Sequence, residues 1–220
     1  MARHKEPVVV IGLGRFGTAL ALELDRSGTE VLAIDQQPSV VQRLAGSLTR
    51  VVAVDSTDID ALREVGVADF ERAVVAIGVD QQSSILTTAL LSDLGVTDIW
   101  AKALNAQHAK ILERVGARHI FQPEQEMGER VAHLLSGRMQ DYLEIGKDWA
   151  LVKTAPPRFL VGVPLGESRL RARFHVTVVS VKPEGRDGFT YADNATTLRY
   201  GDQILVVGTV AAIERFTDEI

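Results

Sequence analysis

The chain has 220 residues, 46% of them hydrophobic, enough to build a sizeable core in one domain or two. A formal net charge of −5 leaves little to gain from counterion release, so nucleic acid is not the expected partner. With no cysteine, disulfides and thiolate metal sites are excluded, and no apolar run approaches the ~18 residues of a transmembrane helix.

Residues 1–7 are basic, but the apolar run after them is short and enters a glycine turn, which marks a first strand and not a secretion signal. Val8–Ile11 leads into Gly12-Leu13-Gly14-Arg15-Phe16-Gly17. Phe16–Arg26 follows as a helix, and a second apolar run, Val31–Ile34, ends on Asp35, 18 positions after Gly17. A bare G-x-G-x-x-G is weak evidence; strand, glycine turn, helix, strand and acid in that order make a dinucleotide-binding unit. Gly12 permits the tight turn, Gly14 lets backbone approach a pyrophosphate, and Gly17 lets the helix pack on the strand. The helix N-terminus offers unpaired N–H groups and a partial positive charge to phosphates. Asp35 can accept hydrogen bonds from free ribose hydroxyls and repels a 2′-phosphate, which argues against NADP. The plain alternatives are a glycine turn that binds nothing and a strand-end aspartate.

Further strands are expected at Val51–Val54, Ala73–Ile77, Asp98–Ala101 and His119–Phe121. All are short and continuously apolar, the pattern of a parallel sheet covered on both faces. Helices are expected at Val40–Ala45, Ile59–Val65, Ser83–Leu94 and Ala106–Val115. Ser39 and Thr57-Asp58 supply caps, and Gly28, Gly66, Gly95 and Gly116 supply stops. The alternation is that of a doubly wound, Rossmann-like α/β domain. After Pro123 the segment Glu124–Tyr142 reads as one longer helix, with Met127, Val131, Leu134, Leu135, Met139 and Leu143 at helical spacing. It either packs on its own domain or serves as a crossover or dimer helix. Gly146-Lys147-Asp148 looks like a boundary, giving domains 1–145 and 146–220. The second is a smaller α+β unit with strands Ala150–Thr154, Val176–Val181 and Gln203–Val207, a short basic helix Glu167–Phe174, a turn at residues 183–188 and a closing helix Val210–Asp218. About 75 residues is small for an independent core, so this unit is expected to lean on a neighbour or a symmetry mate.

Several strings resemble a known family: Val10–Gly17, Glu30–Asp35, Asp55-Ser56-Thr57-Asp58, Val74–Gly78, Ile99–Ala103, Pro123–Gly128 and Gly201–Gly208. The family is RCK, or KTN, the cytosolic regulatory subunits of bacterial potassium transporters of the TrkA and KtrA type, and the resemblance covers nearly the whole chain. It implies a first domain that binds ATP, ADP or NAD(H), dimers formed through the crossover helix, and an octameric ring. It also implies a cytoplasmic location at the inner face of the cell membrane, beneath a separate potassium channel subunit of the TrkH or KtrB type. Nucleotide exchange would change the ring and gate potassium flow. Nucleotide contacts are then expected at Gly12, Gly14, Arg15, Phe16, Gly17, Asp35, Gln36, Asp55, Ser56, Thr57, Ile77, Gly78 and Lys102.

Within that set, Arg15 suits a terminal phosphate because its planar fork holds oxygens bidentately; a solvated arginine is the plain alternative. Asp55 matches the family residue at the adenine edge, while Thr57 serves equally well as a helix cap. Lys102 faces the phosphates by resemblance, or is a surface lysine. Glu124 matches a glutamate that helps hold a divalent cation, magnesium or calcium, on the terminal phosphate; alternatively it is a first-turn glutamate favoured by the helix dipole. Arg171, between Arg169 and Arg173, matches a basic position at which related subunits bind cyclic di-AMP, but Ser168 and His175 depart from the pattern, and a solvated basic face is the preferred reading. His4, His108, His119, His133 and His175 have no metal spacing. The competing class is an NAD-dependent oxidoreductase, which uses the same fingerprint. No Tyr-x-x-x-Lys occurs, since Tyr142 is followed four positions on by Gly146, and the small second unit has no evident acid–base pair. The expectation is therefore a nucleotide-controlled gate and not an enzyme.

Overall fold

The computed structural model describes residues 6–135, 138–146 and 148–220; residues 1–5, His4 among them, and Lys147 of the expected boundary lie outside the described residues. The chain divides into two compact units, Met1–Pro123 and Glu124–Ile220.

The first unit contains strands β1 (Val8–Ile11), β2 (Val31–Asp35), β3 (Arg50–Ala53), β4 (Arg72–Val75), β5 (Asp98–Lys102) and β6 (His119–Phe121), with helices α1 (Arg15–Arg26), α2 (Pro38–Leu44), α3 (Ile59–Glu64), α4 (Gln81–Asp93) and α5 (Ala106–Arg114) between them. All pairings are parallel and the order is β3-β2-β1-β4-β5-β6, so the order in which successive strands are added reverses between β1 and β4. Every residue of β1 is buried, because successive side chains go to opposite faces and both faces are covered. Val9, Ile11, Leu32 and Ile34 meet Leu62 of α3, Leu91 of α4 and Leu112 of α5 on one face. Val8, Val10, Val31 and Ala33 meet Ala21 of α1 and Leu44 of α2 on the other.

One cap assignment differs from the sequence reading. Ser39 lies inside α2, which starts at Pro38 with Gln37 as its N-cap, because proline's fixed φ suits the first helical position. Of the expected pair Thr57-Asp58, Asp58 caps α3, accepting from the backbone N–H groups of Asp60 at 2.9 Å and Ala61 at 3.2 Å. Asp80 caps α4 in the same way and starts it two residues earlier than expected.

The second unit begins with α6 (Pro123–Leu135) and has a five-stranded antiparallel sheet. Its strands are β7 (Asp141–Ile145), β8 (Trp149–Thr154), β9 (Val176–Lys182), β10 (Thr190–Tyr191) and β11 (Gln203–Thr209), in the order β10-β9-β11-β8-β7. Helices α7 (Leu170–Phe174) and α8 (Val210–Thr217) complete it. The expected helix to Tyr142 is described as helix as far as Leu135; residues 136–137 lie outside the described residues, and Tyr142 and Leu143 lie in a strand. β7 pairs residue by residue with β8, from Asp141↔Lys153 to Ile145↔Trp149, and these cross-strand hydrogen bonds override the helical spacing of the apolar residues. Gly146 and Asp148 thus form the turn of a hairpin inside this sheet, not a linker, and α6 and β7 belong with the second unit although the 145/146 boundary assigned them to the first. Met139, Tyr142, Ala150, Val152, Val206 and Phe216 share its core, with Leu134 of α6 packed against them.

Candidate nucleotide site

Open parallel sheets bind ligands at the carboxyl ends of their strands where the strand order reverses, here between β1 and β4. The glycine turn leaves β1 at that point. Gly12 has φ +91°, a conformation that side chains disfavour, and a Cβ there would lie 3.0 Å from the Ile77 nitrogen. A Cβ on Gly17 would collide with the Gly12 carbonyl oxygen, so α1 can close on the turn only with glycine there. Gly14 is the N-cap of α1 and contributes no capping side chain, while a Cβ on it would meet no described protein atom within 4 Å. The first-turn N–H groups of α1 are therefore free of a side-chain cap, on the side of the turn where protein leaves space.

Asp35, at the end of β2, is bound into the turn. Its Oδ2 accepts from the Leu13 N–H at 2.7 Å and its Oδ1 from the Gln37 N–H at 2.8 Å. The carboxylate is thus held in one orientation by charge-assisted bonds, with lone pairs left over for a ligand hydroxyl. This second role, as the clamp of the glycine turn, was not visible in the sequence. Thr18 adds to it, its Oγ1 donating to the Leu13 carbonyl at 2.8 Å. Arg15 is exposed on the first turn of α1 and Gln36 is exposed after β2. The Phe16 ring is occupied by Phe121, with centroids 5.0 Å apart.

The loop after β3 joins the same edge, since the Val54 N–H donates to the Asp35 carbonyl at 3.0 Å. Asp55 is exposed, and its Oδ1 accepts from both the Thr57 N–H at 2.9 Å and the Thr57 hydroxyl at 2.7 Å. Those bonds, the hydroxyl's first, hold the Asp55 carboxyl below its ordinary pKa. Thr57 is accordingly spent on Asp55. Ser56 turns inward, its hydroxyl 2.8 Å from that of Thr87 on α4, so it fastens the loop to the helix and does not face a ligand. Gly78 follows β4 beside Lys102, whose ammonium would be 2.9 Å from a Cβ on Gly78; Lys102 is only 6% exposed, and so is not the surface lysine that was its alternative. Asp80 accepts from Gln82 N–H, Ser83 N–H and Ser83 Oγ, and those bonds, the hydroxyl's first, depress its pKa.

The structure thus brings the glycine turn, Asp35, Asp55 and the Ile77-Gly78-Lys102 group to one edge. Glu124 and Arg171 belong to the other unit. Arg171 donates its Nε–H to the Thr177 hydroxyl at 3.0 Å, and the Arg173 guanidinium lies 4.8 Å from the Phe159 ring centre. Among the described residues no group of three or more His, Asp or Glu side chains is placed to hold a metal ion, and no helix is long and apolar enough to cross a membrane. Two buried polar atoms of the first unit, Ser84 Oγ and His108 Nε2, have no hydrogen-bond partner; neither residue was singled out for this in the sequence, where both look like ordinary helix positions.

Comparison with known proteins agrees with this division. The TrkA-N domain model matches residues 8–123 and the TrkA-C domain model residues 150–220. Ktr system potassium uptake protein C of Bacillus subtilis (strain 168) is 36% identical over 217 residues, covering 98% of each chain. Protein A of the same system and organism is 35% identical over 211 residues, covering 96% of this chain and 95% of the relative. Among solved structures, the GsuK channel bound to NAD superposes with TM-score 0.54 at 23% identity, a likeness of fold, over 100% of this chain and 39% of that one. GsuK bound to ADP superposes with TM-score 0.53 at 26% identity, over 62% of this chain and 35% of that one. The chain thus spans well under half the length of these channels but nearly the full length of the Ktr proteins. It belongs to the family of proteins that join a TrkA-N domain to a TrkA-C domain, the family of the Ktr system potassium uptake proteins A and C.

Proposed function

We propose that the chain is the nucleotide-binding regulatory subunit of a potassium uptake system, and that it works as a sensor and not as an enzyme. The observation that carries this is the cradle at the β1/β4 reversal, a side-chain-free helix N-terminus beside a clamped Asp35, in a chain that matches Ktr proteins from end to end. Relatives of the fold bind NAD and ADP by name, so an adenosine nucleotide with a free ribose is the ligand. The pyrophosphate lies on the first turn of α1, and Asp35 accepts from the ribose hydroxyls. Asp55 takes the adenine edge and Lys102 neutralises phosphate charge at Gly78. ATP and ADP differ in one phosphate, which Arg15 reads. A ligand shifts a two-state assembly only by its differential affinity for the two states. The subunit assembles through α6 into dimers and a ring at the cytoplasmic face of the membrane, beneath a separate channel subunit. Arg171 and its neighbours form a solvated basic face, and cyclic di-AMP plays no part in this reading.

The test is calorimetry with ATP, ADP and NADH, with and without magnesium or calcium, followed by potassium flux in vesicles containing the membrane subunit. Arg15→Ala is expected to weaken ATP more than ADP. Equal losses for both would remove Arg15 as the reader of the terminal phosphate, and identical flux with ATP and ADP would overturn the gating role.

A further inference from the structure

The second sheet has two apolar faces, and the helices of its unit cover one of them. Side chains alternate along each strand. Tyr142, Ala150, Val152, Ile204 and Val206 point into the core that they share with Leu170 of α7 and Phe216 of α8. The residues between them form the opposite face. β7 contributes Leu143 and Ile145, β8 Trp149 and Leu151, and β11 Leu205 and Val207, and none of these belongs to a core cluster of the described residues. Strand pairing lines them up across the sheet: Leu143 stands opposite Leu151 and Leu151 opposite Val207, while Ile145 stands opposite Trp149. Tyr191 of β10 extends the face, since it pairs with Ser180, and Ser180 with Leu205. Where an antiparallel sheet turns one face to water, that face is ordinarily polar. This one exposes Leu143 by 57%, Ile145 by 51%, Trp149 by 50% and Tyr191 by 95%.

Shape, area and charge decide what fits this face. A twisted antiparallel face packs well on another of the same twist about 10 Å away, and every copy of this chain carries one. The four exposed side chains present on the order of 600 Å² per copy, so two such faces bury about 1,200 Å² together, the lower bound of a stable specific interface. Of the charged strand residues on the face, Asp141 and Lys153 stand directly opposite each other and offset. That leaves Lys182 alone, paired with Gln203 at the strand end, and one lysine gives an anionic lipid surface only about 1 kcal/mol of attraction. We propose that this face is an interface with a second copy of the chain, the two sheets closing as a β-sandwich about a two-fold axis. The contact is separate from the nucleotide cradle and from α6, so it stands or falls by itself.

Sedimentation of the full chain, read together with Trp149 emission in a Trp100→Phe background, tests this. Leu143→Glu combined with Tyr191→Glu puts carboxylates at positions that are exposed in a single copy, and neither residue is paired with Trp149. The double variant should sediment at half the parent's mass, and its Trp149 emission should move to the red as the ring returns to water. Circular dichroism and ADP affinity should stay as in the parent, which separates a lost contact from a lost fold. Val131→Glu, on the exposed side of α6, should leave Trp149 emission unchanged. An unchanged mass in the double variant, a parent emission already as red as the variant's, or a red shift produced by Val131→Glu would overturn the proposal. A parent emission that turns blue only when anionic lipid vesicles are added would do the same, and would give the face to a membrane surface.

Discussion

Replacing Asp35 by asparagine separates two functions that one carboxylate performs. In the parent, Oδ2 accepts from the Leu13 N–H at 2.7 Å and Oδ1 from the Gln37 N–H at 2.8 Å, so both oxygens act as acceptors. An amide offers one oxygen and one NH₂ group, and in either orientation one backbone N–H faces another donor. Leu13 is 1% exposed while Gln37 is exposed, so the amide oxygen will turn to Leu13 and leave the Gln37 N–H to water. A hydrogen bond to a charged acceptor contributes about 1.5–3 kcal/mol; with the exposed bond replaced by water, the expected loss is about 1–2 kcal/mol. Asp35→Ala removes both bonds and strands the buried N–H, for a loss of about 3–4 kcal/mol. Urea unfolding, followed through Trp100 in a Trp149→Phe background, reports on the first unit, because Trp100 lies in β5 and Trp149 in β8. Calorimetry on the folded Asp35→Asn variant then measures the ribose contact, with ADP weakened by roughly 1–3 kcal/mol. Equal destabilisation by Asn and Ala, or none by either, would refute the clamp; unchanged ADP affinity would refute the ribose role.

Two further outcomes are expected. Gly17→Ala places a methyl group against the Gly12 carbonyl, which is backbone and cannot rotate away, so urea unfolding should show a loss of about 2–3 kcal/mol together with weakened ADP binding; parent-like stability would show that the turn yields. His108 is 2% exposed and burial depresses its pKa below the ordinary 6.5, so the folded state keeps it neutral. As pH falls through that ordinary value the unfolded chain takes up the proton first, and stability declines from about pH 6.5 downward while being fully present above it. His108→Gln keeps an acceptor for the Leu104 N–H, which His108 Nδ1 accepts at 3.3 Å, but cannot be charged. Its unfolding midpoint should therefore fall less between pH 7 and pH 5.5 than the parent's, as urea titrations at the two pH values will show, and parallel declines would exclude His108 as the acid-sensitive group.

The first unit was legible because its signals are local. Four continuously apolar residues before Gly12, helical spacing after it and an acid at the end of the next strand each follow from steric and hydrogen-bonding rules that act within a few residues. Even the helix stops at Gly28, Gly66, Gly95 and Gly116 lie where the chain indicates. The segment after Pro123 was misread for the opposite reason. Met139 and Leu143 continue the apolar spacing of α6, but a strand's partner lies elsewhere in the chain, and the pairing of β7 with β8 outweighs the spacing.

The residue types of the candidate site, and their arrival at the carboxyl edge of a parallel sheet, were thus readable from the chain alone, since glycine, aspartate and strand order leave few alternatives. What each side chain does there depended on three-dimensional packing. Asp35 holds the turn it borders, Ser56 is turned to Thr87, and Lys102 is buried beside Gly78. Tyr142, outside that site, is buried in the core of the second unit and stacks on His133. Hydrogen-bond partners and burial are set by atoms far apart in the chain, and no spacing rule within a segment encodes them.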